Sequence, residues 1–221
     1  MEIYISELFS QWVYSPWLVY GAIVMFMVLS AFGLPIPEEI VLVSAGFVGH
    51  MSLHPADYPP PYPGATPVNI YALAAVSFFS VVGADFLIYV LGKRFGPRMF
   101  KMKWFARLIS ESALERIQRW TRKYGAWAVF AFRFTPGVRF PGHLMCGAMG
   151  LSPWRFFGVD IIAAGISVPT QVLLVSLYGD FILQYFGKFK IVLFSIFAVL
   201  LVVFLVYKFI QRRSLKVSSP K

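Results

Sequence analysis

Gly33-Leu34-Pro35-Ile36-Pro37-Glu38-Glu39-Ile40-Val41-Leu42 is the stretch that decides the fold. Two carboxylates stand in an otherwise apolar run, immediately after two prolines. A charge at bilayer depth costs roughly 2.5–3.5 kcal/mol on insertion scales, so it persists only where it faces protein, a partner charge or a water-filled cavity. Proline removes a backbone donor and clashes with the preceding turn, so a helix breaks or bends there. A second stretch repeats the pattern with the opposite charge: Phe132-Arg133-Phe134-Thr135-Pro136-Gly137-Val138-Arg139-Phe140-Pro141. Broken backbone and charge together at membrane depth fit a transport site.

The rest of the chain supports a membrane setting. Of its 221 residues 58% are hydrophobic, against about 45–50% in soluble domains. Several runs approach the roughly 20 apolar residues needed to cross a bilayer. The reading is a single polytopic membrane domain over 1–221. The N-terminus Met1-Glu2-Ile3-Tyr4 lacks the basic region of a signal peptide, so insertion is expected to use internal segments. Cys146 is the only cysteine and excludes an intramolecular disulfide.

The net charge of +10 is placed for topology. Half of the 20 Lys and Arg lie between Lys93 and Lys123, five more follow Tyr207, and Met51 to Val68 holds none. That is positive-inside asymmetry, with attraction to anionic lipid heads, and it argues against nucleic acid as a partner. It puts the basic loops and the C-terminus on the cytoplasmic side of what reads as a bacterial inner membrane.

Ile70 to Leu91, Trp154 to Tyr178 and Lys188 to Phe209 read as spanning segments, the last ending in a basic tail, and Trp17 to Phe32 as an apolar segment that ends at the Pro35/Pro37 break. His54 to Gly64 is too proline-rich for a helix. Residues 96–124 read as an amphipathic cytoplasmic segment. Ser112-Ala113-Leu114-Glu115 reads there as a capping box, and Leu114, Ile117 and Thr121 share one face. Residues 127–150 are expected to break around Pro136 and Pro141. Counting sides makes 127–150 re-entrant, and 34–50 re-entrant from the opposite face provided 17–32 crosses. The two segments align without gaps over fifteen positions, matching Pro35 to Pro136, Gly46 to Gly147, Gly49 to Gly150 and Glu38 to Arg139. The expected fold is therefore all-α: transmembrane helices plus two opposed re-entrant hairpins in an inverted repeat.

Arg133 and Arg139 suit a phosphate, because a guanidinium fork pairs two oxygens at once. A salt bridge to Glu38 or Glu39, or alternation between the two states, fits the same residues. Glu39 reads as a proton carrier or a fixed ion-pair partner. Asp85 reads as a partner for an arginine or a cap for a re-entrant helix. Asp160 reads as structural and within reach of cytoplasmic water, His143 as a hydrogen-bonded core histidine, and Cys146 as packing. No metal-ligand spacing, P-loop or nucleophile elbow is present, so neither an enzyme, a cofactor nor a metal is expected.

Three motifs resemble the DedA family, also called SNARE-associated or VTT-domain membrane proteins, over residues 30–180. They are Pro35-Ile36-Pro37-Glu38-Glu39 running to Ala45-Gly46; Gly83-Ala84-Asp85 with Tyr89, Gly92-Lys93-Arg94 and Gly96; and Arg133-Phe134-Thr135-Pro136-Gly137-Val138-Arg139 with Gly147 and Phe156. The resemblance implies lipid translocation, as flippase or scramblase, of a substrate such as phosphatidylethanolamine or undecaprenyl phosphate, with proton coupling in some members. It implies that Glu39 matches the tip acid and that Arg133 and Arg139 match the paired essential arginines. Many members carry another acid before the first tip; here Leu29-Ser30-Ala31-Phe32 has none, and Glu38 is the substitute at hand.

The expectation is thus a transporter binding its lipid through Arg133, Arg139, Glu39 and Glu38, with Glu39 and Asp85 as proton-coupling or ion-pair candidates. The sequence also allows a homo-oligomer. Two other functions remain open: a membrane assembly protein whose charges are structural, and a small-ion or oxyanion transporter.

Overall fold

Tight helix crossings at glycine position the centre of the molecule. The computed structural model describes residues 11–32, 37–99, 111–135 and 137–182. The expected spanning segment 188–209 and most of the basic stretch 96–110 lie outside them. A unit covers Met1–Leu177; a second covers Tyr178–Lys221, of which 178–182 are described.

Among the described residues the main helices are, in chain order, α1 (Pro16–Ala31), α2 (Glu38–Leu53), α3 (Ile70–Met99), α4 (Glu111–Tyr124), α5 (Trp127–Arg133), α6 (Arg139–Ala148) and α7 (Pro153–Ile182). Among the described residues, α3 over Ile70–Gly96 and α7 are long and apolar enough to cross a membrane. Helix α1 is apolar all round. It buries Val19, Ile23, Met27 and Ala31 at four-residue spacing and exposes Trp17, Leu18, Val24, Met25 and Val28. An apolar outer face is what a hydrocarbon solvent permits. Its 16 residues reach about 24 Å, short of the roughly 30 Å hydrocarbon core. The crossing of 17–32, on which the re-entrant reading of 34–50 depends, is therefore not met by the length of α1 alone.

Asn69 opens α3. Its side-chain oxygen accepts from the backbone N–H of Tyr71 at 2.9 Å and Ala72 at 3.1 Å, the geometry of an N-cap. The proline-rich stretch before it is non-helical, as expected. It is tied down by Val68 N–H to the Val13 carbonyl at 2.9 Å and by Tyr14 Oη to the Tyr58 carbonyl at 2.9 Å. In α3 the buried stripe runs through Leu73, Ser77, Val81, Asp85 and Tyr89; in α7 it runs through Phe156, Asp160, Ala164, Val168 and Val172. One acid sits in each stripe, so each long helix carries a carboxylate into the interior.

The short helices pack on the long ones through glycine. A Cβ at Gly147 of α6 would overlap the Tyr89 carbonyl of α3, and one at Gly92 of α3 would overlap the Leu144 carbonyl of α6. A Cβ at Gly46 of α2 would meet Val175 and the Val172 carbonyl of α7. Ser176 Oγ donates to the Gly46 carbonyl at 3.2 Å across that contact. The two crossings are in register: Gly46 and Gly147 each stand eight residues past the first residue of their helix, and Val172 and Tyr89 each stand nineteen past theirs.

Two expectations change in detail. The break in 127–150 falls between α5 and α6, after Arg133 and before Arg139, whereas Pro141 is inside α6, where a first-turn proline leaves no intrahelical bond unmade. Glu111 and Ser112 are already helical, so Ser112 is not standing outside α4 as its cap. The expected face of α4 holds: Ile117 and Thr121 are buried with Leu114 half-buried, while Arg116, Arg119, Arg122 and Lys123 are exposed.

Candidate functional site

Both arginines sit at helix ends made by one turn. Arg133 is the last residue of α5 and Arg139 the first of α6. Between them Gly137 takes φ +74°, a left-handed conformation that costs a side-chain-bearing residue about 1–2 kcal/mol. Thr135 Oγ1 donates to the Ala131 carbonyl at 2.8 Å and tightens the turn. Glu38 opens α2 in the same way that Arg139 opens α6, after the extended Pro37.

Three carboxylates from three helices close on these two guanidinium groups. Asp85 is the hub. It accepts from Arg139 Nε at 2.9 Å and Arg139 Nη2 at 2.7 Å, both on Oδ1, and its Oδ2 accepts from Arg133 Nη2. Arg133 Nη2 also donates to Asp160 Oδ1 at 2.9 Å. Glu38 bridges the arginines from the other side, with Oε1 at 3.6 Å from Arg133 Nη1 and Oε2 paired with Arg139 Nη1. His143, one turn beyond Arg139 on α6, brings Nδ1 to 3.1 Å from Asp85 Oδ1. The side chains of Asp85, Asp160, His143 and Arg133 are almost fully buried, whereas Glu38 and Arg139 keep 10% and 17% of their side-chain surface exposed. The open edge of the cluster is therefore the Glu38–Arg139 pair.

The electrostatics follow from this count. Three carboxylates and two guanidinium groups leave one negative charge in excess when all are ionised and His143 is neutral. Each arginine is held by carboxylate oxygens, the acceptor type that a phosphate also presents. The N-termini of α2 and α6 meet at the cluster through Glu38 and Arg139, and both ends favour an anion. Asp85, His143 and Asp160 have the donor atoms of a metal site, within 4.8 Å of one another. Arg133 Nη2 already lies between the two carboxylates, so a guanidinium supplies the positive charge that an ion would bring.

The structure brings together Arg133, Arg139, Glu38 and Asp85 of the expected site. Glu39 is exposed and makes no ion pair among the described residues. Asp160 is the correction: it does not reach water but is buried on Arg133. Its signal in the sequence was the same as that of Asp85, a lone acid in an apolar helix. His143 is buried, as expected of a core histidine, and its nearest charged neighbour is Asp85. Cys146 packs with Tyr89, Phe132 and Phe156 in the core beside the cluster.

Comparison with known proteins places the chain among membrane proteins. A membrane protein of Haemophilus influenzae is 31% identical over 156 residues, covering 70% of this chain and 68% of that one. A membrane protein of Bacillus subtilis is 29% identical over 134 residues, covering 60% and 71%. Undecaprenyl phosphate transporter A of Staphylococcus aureus is 26% identical over 175 residues, covering 75% and 74%. No solved structure gives a significant match. The VTT domain matches residues 36–179, which hold every residue of the buried charge cluster, and the chain therefore belongs to the VTT-domain, or DedA, family of membrane proteins.

Proposed function

We propose that this protein carries a phosphate-headed lipid across the membrane, with the phosphate on Arg133 and Arg139 and the hydrocarbon left in the bilayer. The observation that carries the reading is the pair of buried arginine forks held by exchangeable carboxylates at the junction of two helix N-termini. A phosphate would displace Glu38 first, since the Glu38–Arg139 edge is the exposed one. Asp85 and Asp160, anchored in the long helices, would keep Arg133 in place. The displaced carboxylate then needs a proton or a new partner, which is how translocation would be proton-linked. The role that the resemblance gives to Glu39 thus passes to its neighbour Glu38.

The matched glycine crossings support two opposed re-entrant hairpins in an inverted repeat: α2 packs on the long helix of the second half, α6 on that of the first, at equivalent positions. A single polytopic domain in an inner membrane, its basic loops cytoplasmic, belongs to the same proposal. The relative named for undecaprenyl phosphate supports a polyprenyl phosphate as substrate. A phospholipid phosphate presents the same oxygens. The test is lipid flipping in reconstituted vesicles: Arg133→Lys and Arg139→Lys should impair it although the charge is kept.

One observation favours a second reading, a structural cluster in a membrane assembly protein: every carboxylate of the cluster is paired with arginine. A merely structural cluster predicts that its substitutions lower thermal stability and that the wild-type protein flips no phosphate-headed lipid; an exchange of Glu38 with Arg139 would not test it, because Arg139 also holds Asp85.

A further inference from the structure

An apolar groove of about 300 Å³ lies between α1 and α2. Val19, Ile23 and Phe26 form one wall, and Val41, Ala45 and Val48 the other. The groove exists because small residues face each other: Ala22 on α1 and Ser44 and Ala45 on α2. It opens to the surface, since Phe26 is 38% and Ile40 60% exposed. Its volume is at the lower end of ligand pockets, about 300–1,000 Å³.

Two facts identify the occupant. The first is register. Glu38, Val41, Ala45 and Val48 are at i, i+3, i+7 and i+10 of α2, within about 80° of one another around the helix, and the other lining residues, Ile40 and Ser44, continue that face away from Glu38. The charged residue at the open edge of the cluster thus borders the row of apolar residues that lines the groove. On α2 that row lies about 4.5 to 15 Å from Glu38 along the helix axis, at 1.5 Å per residue. The second is chemistry. In a bilayer no water drives burial, and an unfilled void forfeits dispersion contacts on every lining atom. Hydrocarbon is the phase at hand, and Glu38, which pairs with Arg139, stands about one turn before Val41 of the groove wall.

We infer that the α1–α2 groove is the hydrocarbon-chain subsite of the lipid whose phosphate occupies the Arg133–Arg139 site. This rests on the phosphate-lipid reading above and adds where the chain goes and what selects it: the width left by Ala22, Ser44 and Ala45. The two sites act as one, headgroup charge at the helix tips and chain shape along α2. The shared ligand chemistry is a phosphate on a long hydrocarbon chain, acyl or prenyl.

The test is photo-crosslinking in phosphatidylcholine vesicles containing the full-length protein. Three probes carry a diazirine at the chain end: phosphatidic acid, a polyprenyl phosphate, and a diacylglycerol with the same acyl chain and no phosphate. Adducts are mapped by peptide mass spectrometry, and flipping is measured in the same vesicles. The expected result is adducts within 16–31 and 38–53 from at least one phosphate probe, and which one distinguishes acyl from prenyl. They should fall about tenfold with diacylglycerol, in Arg139→Lys, and in both Ala22→Phe and Ser44→Phe, which fill the groove from opposite walls. Ala22→Phe and Ser44→Phe are each checked for wild-type thermal unfolding and Arg139→Lys for a folded state at the assay temperature, and two independent walls guard against one misfolded variant. Equal adducts from diacylglycerol, or adducts unchanged in Arg139→Lys, overturn the subsite, because the groove then takes any bilayer chain. If flipping persists and depends on the arginines while adducts avoid the groove, the subsite fails and the transport reading survives. Phosphate-dependent adducts without flipping support the subsite and remove transport.

Discussion

Replacing Arg139 by lysine keeps a positive charge at the open edge of the cluster and removes the fork. In the resting protein three nitrogens of Arg139 are engaged: Nε and Nη2 on Asp85 Oδ1, and Nη1 on Glu38. A lysine ammonium reaches one of these partners well, so about two charge-assisted bonds are lost, each worth about 1.5–3 kcal/mol. With 17% of the side chain exposed, the lower value applies, and stability should fall by about 3 kcal/mol. The effect on transport is smaller, because the resting and lipid-bound states both lose donors. At rest, Nε and Nη2 share one carboxylate oxygen, whereas a phosphate offers each its own. The difference is about one charge-assisted bond, roughly 1.5 kcal/mol, which slows flipping about tenfold. The assay is reconstitution with a fluorescent phosphate-headed lipid, scored by the fraction reaching a membrane-impermeant quencher over time, with thermal unfolding in detergent alongside. Lysine variants that flip at the wild-type rate would refute the bidentate site. Loss of stability with unchanged flipping would leave only the structural cluster.

Glu38→Gln should slow flipping more than Glu39→Gln, because Glu38 holds both arginines and Glu39 is exposed; equal effects, or loss only in the double variant, would return the role to both acids. Gly147→Ala places a Cβ on the Tyr89 carbonyl and should destabilise by more than the usual ~1–3 kcal/mol of overpacking, since backbone cannot step aside. Gly21→Ala, with open space around it, should be neutral or stabilising by up to about 1 kcal/mol, and the pair of melting temperatures checks the α3–α6 crossing. With Cys146 replaced by Ala, cysteine at Tyr62 should react with an impermeant reagent from outside and cysteine at Arg107 only after permeabilisation; labelling of both from one side would overturn the topology.

Much of this was legible one residue at a time. Apolar run length gave the two long helices, proline chemistry placed the interruption before α6, and charge in apolar context marked Arg133, Arg139, Glu38 and Asp85. These are local properties: the cost of an unpaired backbone group or a bare charge in hydrocarbon does not depend on the partner. Period also marked the buried face of α4 through Ile117 and Thr121.

Which charges meet was decided only by tertiary structure. Glu38 and Glu39 are adjacent, and nothing local separates them. On a helix neighbours point about 100° apart, so the rotation of α2, fixed by Gly46 against α7, turns Glu38 to the arginines and Glu39 outward. Asp160 and Asp85 are the same signal in the sequence, and only the packing of α3, α5 and α7 put both on Arg133. The groove, too, is a property of two faces at once: Ala22 and Ser44 are ordinary small residues until α1 and α2 are laid side by side. Sequence sets what each segment must bury; which partner satisfies it depends on helix rotation and separation, and those are set by contacts remote in the chain.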